Sequence, residues 1–199
     1  SEGEIKGKGS NDAWAARQAK ERLIDPLGID YERVIYSSFD IDTQVYPQYF
    51  GCITYHYLTA NKPTRTSYQP IPLYNNNIWQ APVFSQTSSF TGIFWQIICQ
   101  ERPDQLVTFS SHSMSFKALV DVGYKQENMV NEDSRIFWQC FFYYNGDYRT
   151  QPVYYPVSLD ANVGKNLWQT IKQVYKQQRR WGYPENTAYF LYASFKNKK

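Results

Sequence analysis

An α/β fold is the class this sequence predicts, on three observations. A helical pattern, a β-rich run and a second helical pattern follow one another in the first third of the chain. Short strand-like runs then alternate with longer helical stretches over the remainder. The 199 residues contain no internal repeat and no long linker, and that length suits one domain, here 1–199.

The elements can be justified in order. Ser1–Ser10 is rich in Gly and Lys, and Lys6-Gly7-Lys8-Gly9 reads as a flexible basic loop. Asn11 or Asp12 then N-caps a helix running to about Leu23, which Asp25-Pro26-Leu27-Gly28 stops. Arg33–Phe39 reads as a buried parallel strand that delivers Asp40-Ile41-Asp42 at its C-terminal end. Pro47 opens a second helix with Phe50, Ile53 and Tyr57 on one face. Asn61–Ser89 is irregular apart from a strand near Ser67–Leu73. A helix over Thr91–Arg102, a strand over Leu106–Ser110 and a short helix over Ser115–Val122 follow, the last closed by Gly123. Glu132–Tyr143 is predicted helical, with Ile136, Phe137 and Cys140 inward, and Asn145-Gly146 marks a turn between aromatic flanks. Val153–Val157 is a strand, and about Asn166–Trp181 is a helix with Trp168, Ile171 and Val174 in its apolar pattern.

Composition excludes several classes. Hydrophobic residues make up 42% and charged residues 20%, so the chain can bury a core. The longest apolar runs, Ile93–Cys99 and Ala188–Phe195, fall well short of the ~20 residues needed to span a bilayer. Cys52, Cys99 and Cys140 are widely spaced and odd in number, which argues against a disulfide framework and for reduced thiols facing a cytosol. Two histidines make a multi-histidine metal site improbable, and a net charge of +3 offers no general case for nucleic acid. Aromatic residues reach 18%, half of them Tyr, a supply that suits sugar-stacking or membrane-adjacent surfaces as well as an aromatic core.

Four constellations carry chemistry. In an extended segment Asp40 and Asp42 face one point, where paired carboxylates suit a hard divalent cation such as Mg or Mn. Asn131-Glu132-Asp133 opens a helix and offers a carboxylate as general base. Gln177-Gln178-Arg179-Arg180-Trp181 combines an anion-binding guanidinium with a stacking indole. Lys8 precedes a helix N-terminus suited to a diphosphate. Taken singly, each has an ordinary counterpart: solvated turn acids, acids favoured by a helix dipole, a basic helix end and a frayed terminus.

Their order is more specific. Asp-x-Asp, then Glu-Asp, then Gln-x-x-Arg-Trp resembles the ordered signature of processive, membrane-associated family 2 glycosyltransferases, the relatives of cellulose and hyaluronan synthases. Ninety-one residues separate Asp42 from Asp133 and 44 separate Asp133 from Gln177 (133 − 42 and 177 − 133), similar to that family's layout. Ser113–Tyr124 resembles the family's stretch before the acidic motif, and Lys8-Gly9-Ser10-Asn11 resembles its Lys-Ala-Gly-Asn loop.

The resemblance implies a partial GT-A type fold with a mixed, mostly parallel sheet flanked by helices. It implies inverting, metal-dependent transfer of a sugar from a nucleotide-sugar, a UDP-sugar by family expectation, to a glycan or other hydroxyl acceptor. Asp40 and Asp42 would hold the divalent metal and Asp133 would be the base, with Glu132 in support. Lys8 and Arg180 would bind the donor diphosphate, and Gln177 and Trp181 the acceptor. The family's nucleotide-binding half would precede Lys6, so the chain reads as a fragment that binds nucleotide poorly. Asn131 stands where Thr is more common, and Gly182-Tyr183-Pro184-Glu185 departs from the usual continuation. Residues 188–199 are expected to begin an interfacial or membrane segment, with the full-length protein on the cytoplasmic face of the cell membrane and this chain soluble or peripheral. The alternative is a non-catalytic carbohydrate-binding or interaction module, whose sugar binding would ignore metal and nucleotide.

Overall fold

The computed structural model describes residues 6–181, with Trp181 described by its backbone alone; the expected segment at 188–199 and the departure at Gly182–Glu185 lie outside the described residues. In chain order the main elements are α1 (Lys8–Ala19), β1 (Ile35–Ser38), β2 (Gln44–Val45), α2 (Tyr49–Thr59), β3 (Thr66–Leu73), α3 (Val83–Gln100), β4 (His112–Ser115), α4 (Phe116–Asp121), α5 (Glu132–Tyr143), β5 (Arg149–Ser158) and α6 (Leu167–Trp181). The strands form one mixed sheet in the order β1-β4-β3-β5-β2.

The α/β class holds, but the sheet is not mostly parallel. Only β3–β5 is parallel; β1–β4, β3–β4 and β2–β5 are antiparallel. The run expected as a buried parallel strand is β1, a half-buried edge strand antiparallel to β4. Ser37 and Ser38 find partners inside the fold rather than in water: Ser37 Oγ meets Ser113 Oγ at 2.7 Å, and Ser38 is buried.

Alternate residues of β3 serve opposite faces. Tyr68 packs against Tyr49, Ile53 and Tyr57 of α2, together with Val153 and Val157 of β5. Ser67 points the other way and meets the Tyr148 hydroxyl at 2.7 Å, on the side where Met114 packs with Phe116, Ile136, Phe137 and Cys140. Tyr49, Ile53 and Tyr57 recur every fourth residue and so form the inward stripe of α2. Phe50, expected on that stripe, is 57% exposed, because the helix begins only after Gln48 (φ 67) and Tyr49 takes the inward place.

Several boundaries moved for identifiable reasons. The first helix starts at Lys8, with Gly7 as its N-cap, so Asp12 is a mid-helix residue rather than a cap. It ends in a π-helical turn, Lys20–Ile24, just before the expected Asp25–Gly28 stop. α3 begins after Pro82, eight residues earlier than Thr91. Thr87 and Thr91 donate to the carbonyls of Val83 (3.0 Å) and Thr87 (2.8 Å), which keeps this hydroxyl-rich stretch helical. The strand expected over Leu106–Ser110 is a loop, ending in Ser110 at φ 48, and the adjoining strand is His112–Ser115. Side chains hold that loop: the Phe109 N–H donates to Gln69 Oε1 at 3.0 Å. Gly123 (φ 76) closes α4 as expected, and Asn145 and Gly146 make their turn with φ of 53° and 86°.

Central β3 contains Pro70 and Pro72, and its partner β5 contains Pro152 and Pro156, residues that cannot donate to a ladder. The register shifts between Pro70 and Ile71. β4 pairs with β3 only at Ser67 and Tyr68, and beyond them the buried Gln100 amide donates to the carbonyls of Gln69 (3.1 Å) and Pro70 (3.3 Å). Two buried glutamines thus replace ladder bonds that a longer strand would make.

α6 is set by Asn166, whose Oδ1 accepts from the Gln169 N–H at 2.9 Å as an N-cap, and by Gly164. A Cβ on Gly164 would stand 2.8 Å from the Thr170 backbone nitrogen and 3.0 Å from the Gln169 carbonyl carbon. Gly164→Ala is therefore expected to cost about 1–3 kcal/mol of stability, read by urea unfolding, as for other forced overpacking. An unchanged midpoint would show that the loop yields without loss.

Candidate functional site

The site gathers at one end of the sheet. Ser38, the last residue of β1, pairs with His112, the first of β4, and β3 and β5 end together at Leu73 and Ser158. The loops after β1, β3 and β5 and the loop before β4 therefore open on the same side, where strand ends of open sheets bind ligands.

Two lysines tie the acids together. Lys8 Nζ reaches Asp40 Oδ1 at 2.8 Å, Asp133 Oδ2 at 3.1 Å and the Ser110 carbonyl at 3.0 Å. Lys125 Nζ reaches Asp133 Oδ1 and Ser38 Oγ, each at 2.8 Å, and Asp12 Oδ2 at 2.9 Å. Ser38 Oγ donates to Asp12 Oδ2 at 2.6 Å, and Ser110 Oγ to Asp40 Oδ2 at 2.6 Å. Asp40 and Asp133, 93 residues apart (133 − 40), thus share one ammonium. The Lys125 side chain is wholly buried, whereas that of Asp40 is 36% exposed, so the cluster runs from a dry floor to a wet mouth.

Asp42 follows a different course from the one expected. Asp40–Thr43 is a turn closed by the Thr43 N–H on the Asp40 carbonyl at 2.9 Å, not an extended segment. The two carboxylates do not share a partner: Asp42 Oδ2 accepts the Asp160 N–H at 3.0 Å, while the Asp42 carbonyl accepts from Asn76 Nδ2 at 3.0 Å. Among the described residues no group of three His, Cys, Asp or Glu stands placed to hold a metal.

α5 presents Glu132 and Asp133 in its first turn, as the sequence indicates. Glu132 is 6% exposed and lies under Gly9, where a Cβ would come within 3.0 Å of Glu132 Cγ. Burial, with Asp133 next to it, pushes the Glu132 carboxyl up to about 7 against the opposing pull of its own backbone N–H, Lys125 and Lys8. Burial works against charge on Lys125, but Asp133 and Asp12 outweigh it and hold the ammonium above its ordinary value. His112 is wholly buried and held neutral by burial and by the two lysines; its Nδ1 stands 3.2 Å from the Ser110 carbonyl and 3.9 Å from Asp133 Oδ1. Tyr74, after β3, is pushed up to about 12 by burial and by the charges of Asp40 and Asp42.

The last turn of α6 reaches the same neighbourhood. Asn131 Nδ2 donates to the Arg180 carbonyl at 3.4 Å, next to the start of α5. Gln177 Oε1 accepts from Asn162 Nδ2 at 2.7 Å, in the loop that carries Asp160. The Trp181 side chain lies outside the described residues. Lys8, Asp40, Glu132 and Asp133 form one cluster, and Asp42, Gln177 and the Arg180 backbone lie in segments bonded to its edge.

Sequence reading missed Lys125, Asp12 and Ser38, which form the floor. Asp12 reads in the sequence as a candidate helix N-cap and nothing there marks Lys125, so only the tertiary fold brings them together. The available signal was the polar run Ser110–Ser113 entering a sheet interior, where buried hydroxyls and a buried imidazole need partners. Comparison with protein-family models, with curated proteins and with solved structures finds no match to this chain.

Lys125→Met leaves Asp12 and Asp133 without their buried cation and is expected to cost about 3–5 kcal/mol. Lys8→Met, nearer solvent, should cost about 1 kcal/mol or less by the same urea measurement. Equal losses would contradict the floor-and-mouth arrangement. Glu132 binds a proton more readily folded than unfolded, so its contribution is intact below its ordinary pKa of 4.5 and is lost as pH rises toward about 7. Glu132→Gln should therefore gain stability relative to wild type on going from pH 5 to pH 8, by on the order of 2 kcal/mol. A pH-independent difference would refute that.

Proposed function

We propose that this chain is the core of an inverting, metal-dependent glycosyltransferase that moves a sugar from a nucleotide-sugar, by preference a UDP-sugar, to a hydroxyl of a glycan acceptor. The observation that carries this reading is the meeting of Asp40 and Asp133 on Lys8, with the Gln177–Arg180 turn next to them. Three motifs whose order resembles family 2 glycosyltransferases thereby converge on one end of the sheet.

Asp40 and Asp42 would hold the metal such a reaction uses, once Asp40 exchanges Lys8 and Asp42 leaves the Asp160 N–H. Asp40 and Asp42 supply only oxygen donors, and magnesium-type ions are commonly held by one or two carboxylates with substrate phosphates completing the shell. A three-ligand protein cluster is not needed. When bound, the ion neutralises the charge that builds on the departing nucleoside diphosphate.

The chain's own residues supply the rest. Asp133 accepts the proton of the acceptor hydroxyl through Oδ2, the oxygen that faces Lys8, while Lys125 keeps Oδ1 fixed. Lys8 exchanges Asp133 for a diphosphate oxygen, and the Arg180 guanidinium adds a second anion partner. Glu132, close to half-ionised near neutral pH, supports the charge balance beside Asp133. Attack at the anomeric carbon opposite the leaving diphosphate inverts its configuration.

The proposed setting is the cytoplasmic face of the cell membrane. In support, α3 turns Phe84, Phe90, Phe94 and Trp95 to solvent, at 49–66% exposure. Among the described residues no helix is long and apolar enough to cross a membrane.

The test is calorimetric titration of UDP with and without manganese, on this chain and on the chain extended toward its N-terminus. Manganese-dependent binding that Asp42→Ala weakens tenfold or more, and that Asp133→Asn leaves within about twofold, is the expected result; tenfold corresponds to about 1.4 kcal/mol. Binding indifferent to manganese and to Asp42→Ala would remove the metal assignment. Sugar binding that likewise ignores both would favour a carbohydrate-binding module instead.

A further inference from the structure

The parallel pair at the sheet's centre begins at a basic pocket. Thr66 and Arg149, the first residues of β3 and β5, are register partners, so the segments that lead into the two strands meet. There Asn61, Lys62, Arg65, Gly146, Asp147 and Arg149 line an open pocket of about 300 Å³. Small-molecule sites commonly run from about 300 to 1,000 Å³, so the space suits a compact ligand and exceeds what a bare phosphate needs.

The pocket is remote from the acid cluster. The twelve residues of α5 span about 18 Å, with Asp133 in the first turn and the Asn145-Gly146 turn just past the last. β3 and β5 likewise run away from the pocket toward Leu73 and Ser158, at the end where the acids gather.

Local contacts hold the cations in place. The Arg65 N–H donates to the Lys62 carbonyl at 3.0 Å, and the Thr66 hydroxyl donates to the same carbonyl at 2.8 Å. Arg65 lies over the Tyr144 ring, 5.0 Å from its centroid, and Tyr144 stacks on the buried Tyr148. Lys62 Nζ reaches both Asp147 oxygens at 2.8 Å, and Arg65 Nη1 also bonds to Asp147 Oδ2. Both cations keep donors beyond those that Asp147 uses.

Charge does not balance here. Lys62, Arg65 and Arg149 against Asp147 leave the pocket at +2 (3 − 1). Arg149 makes no ion pair among the described residues; its Nε reaches only the Thr66 hydroxyl, at 3.5 Å. Asp121, which accepts from the Tyr144 hydroxyl at 2.7 Å, has its own cation in Lys117 at 3.0 Å. A phosphate monoester carries about −1.5 to −2 near neutral pH and so brings the pocket close to neutrality. Guanidinium forks suit its oxygens, whereas a lone carboxylate would offset only half of the excess.

We infer that this pocket binds a small phosphate monoester, such as a sugar phosphate, with Lys62, Arg65 and Arg149 on the phosphoryl oxygens and Asn61 and the Gly146 main chain toward the hydroxyls of the organic part. Asp147 occupies the place of the anion until the ester arrives. The site is independent of the transferase reading, since neither the motif residues nor the metal enter it.

NMR amide shifts test it, with glucose 6-phosphate, inorganic phosphate, glucose and a phosphoserine hexapeptide titrated separately at low salt. Glucose 6-phosphate should bind saturably, with a Kd on the order of 1 mM or below, and move amides around Lys62 and Asp147. Inorganic phosphate should bind at least threefold more weakly, and glucose not at all. Arg149→Gln, at an exposed position, should weaken glucose 6-phosphate tenfold or more. Asp147→Asn removes the competing carboxylate and should tighten it at least threefold; loss of binding there would overturn the placeholder role. No saturable binding to the wild-type chain, or binding that Arg149→Gln leaves within twofold, overturns the site. Shifts centred on Lys8 and Asp40 would do the same by putting the phosphate at the acid cluster. Equal affinity for inorganic phosphate overturns the sugar-phosphate assignment, and tighter binding of the hexapeptide overturns it in favour of a protein partner.

Discussion

One buried ammonium group holds the functional end of this molecule together. Lys125 has no exposed side-chain surface, and it bonds to α1 through Asp12, to the end of β1 through Ser38 and to α5 through Asp133. A lone cation there would be prohibitively costly, and so would either carboxylate without it. The three elements are therefore obliged to meet. Lys8 repeats the device nearer solvent, where exchange of partners is cheaper. A fixed inner lysine and a replaceable outer one suit a site that must keep one carboxylate oxygen still while freeing the other.

The sheet is arranged around that requirement rather than for its own regularity. Its central pair contains four prolines, and β4 is only four residues long. Gln69 and Gln100 make up the shortfall from the side, with Gln69 also bonding the Ser111 carbonyl at 3.1 Å and the Phe109 N–H at 3.0 Å. Those bonds hold the loop before β4, from which Ser110 reaches Asp40 and Thr108 reaches the Asp133 carbonyl. Short strands with amide substitutes leave this loop free to curve into the site, which a full-length β4 would not allow.

Lys8 and Lys125 offset two of the three charges of Asp12, Asp40 and Asp133, so the cluster keeps one net negative charge, and the buried Glu132 is the member pushed toward its neutral form. Gly9 is the reason Glu132 can stay there: any side chain at that helix position would occupy its space. The exposed aromatics of α3, meanwhile, show that much of the aromatic supply read from composition lies on the surface and not in the core.

Local pattern alone determined the α/β class, a helix soon after Pro47 and another over Glu132–Tyr143, the inward Ile136, Phe137 and Cys140, and the glycine and asparagine turns, because periodicity and turn chemistry act over a few residues. It also marked Asp40, Asp42, Glu132 and Asp133 as a spaced set. Tertiary structure decided the rest. Strand direction depends on which loops cross over, so β1 proved antiparallel; Asp42 turned to the Asp160 loop because a four-residue turn, not an extended strand, follows β1. Lys125 and Asp12 entered the site because buried charge selects its counter-charge through space, a choice that sequence neighbours do not encode.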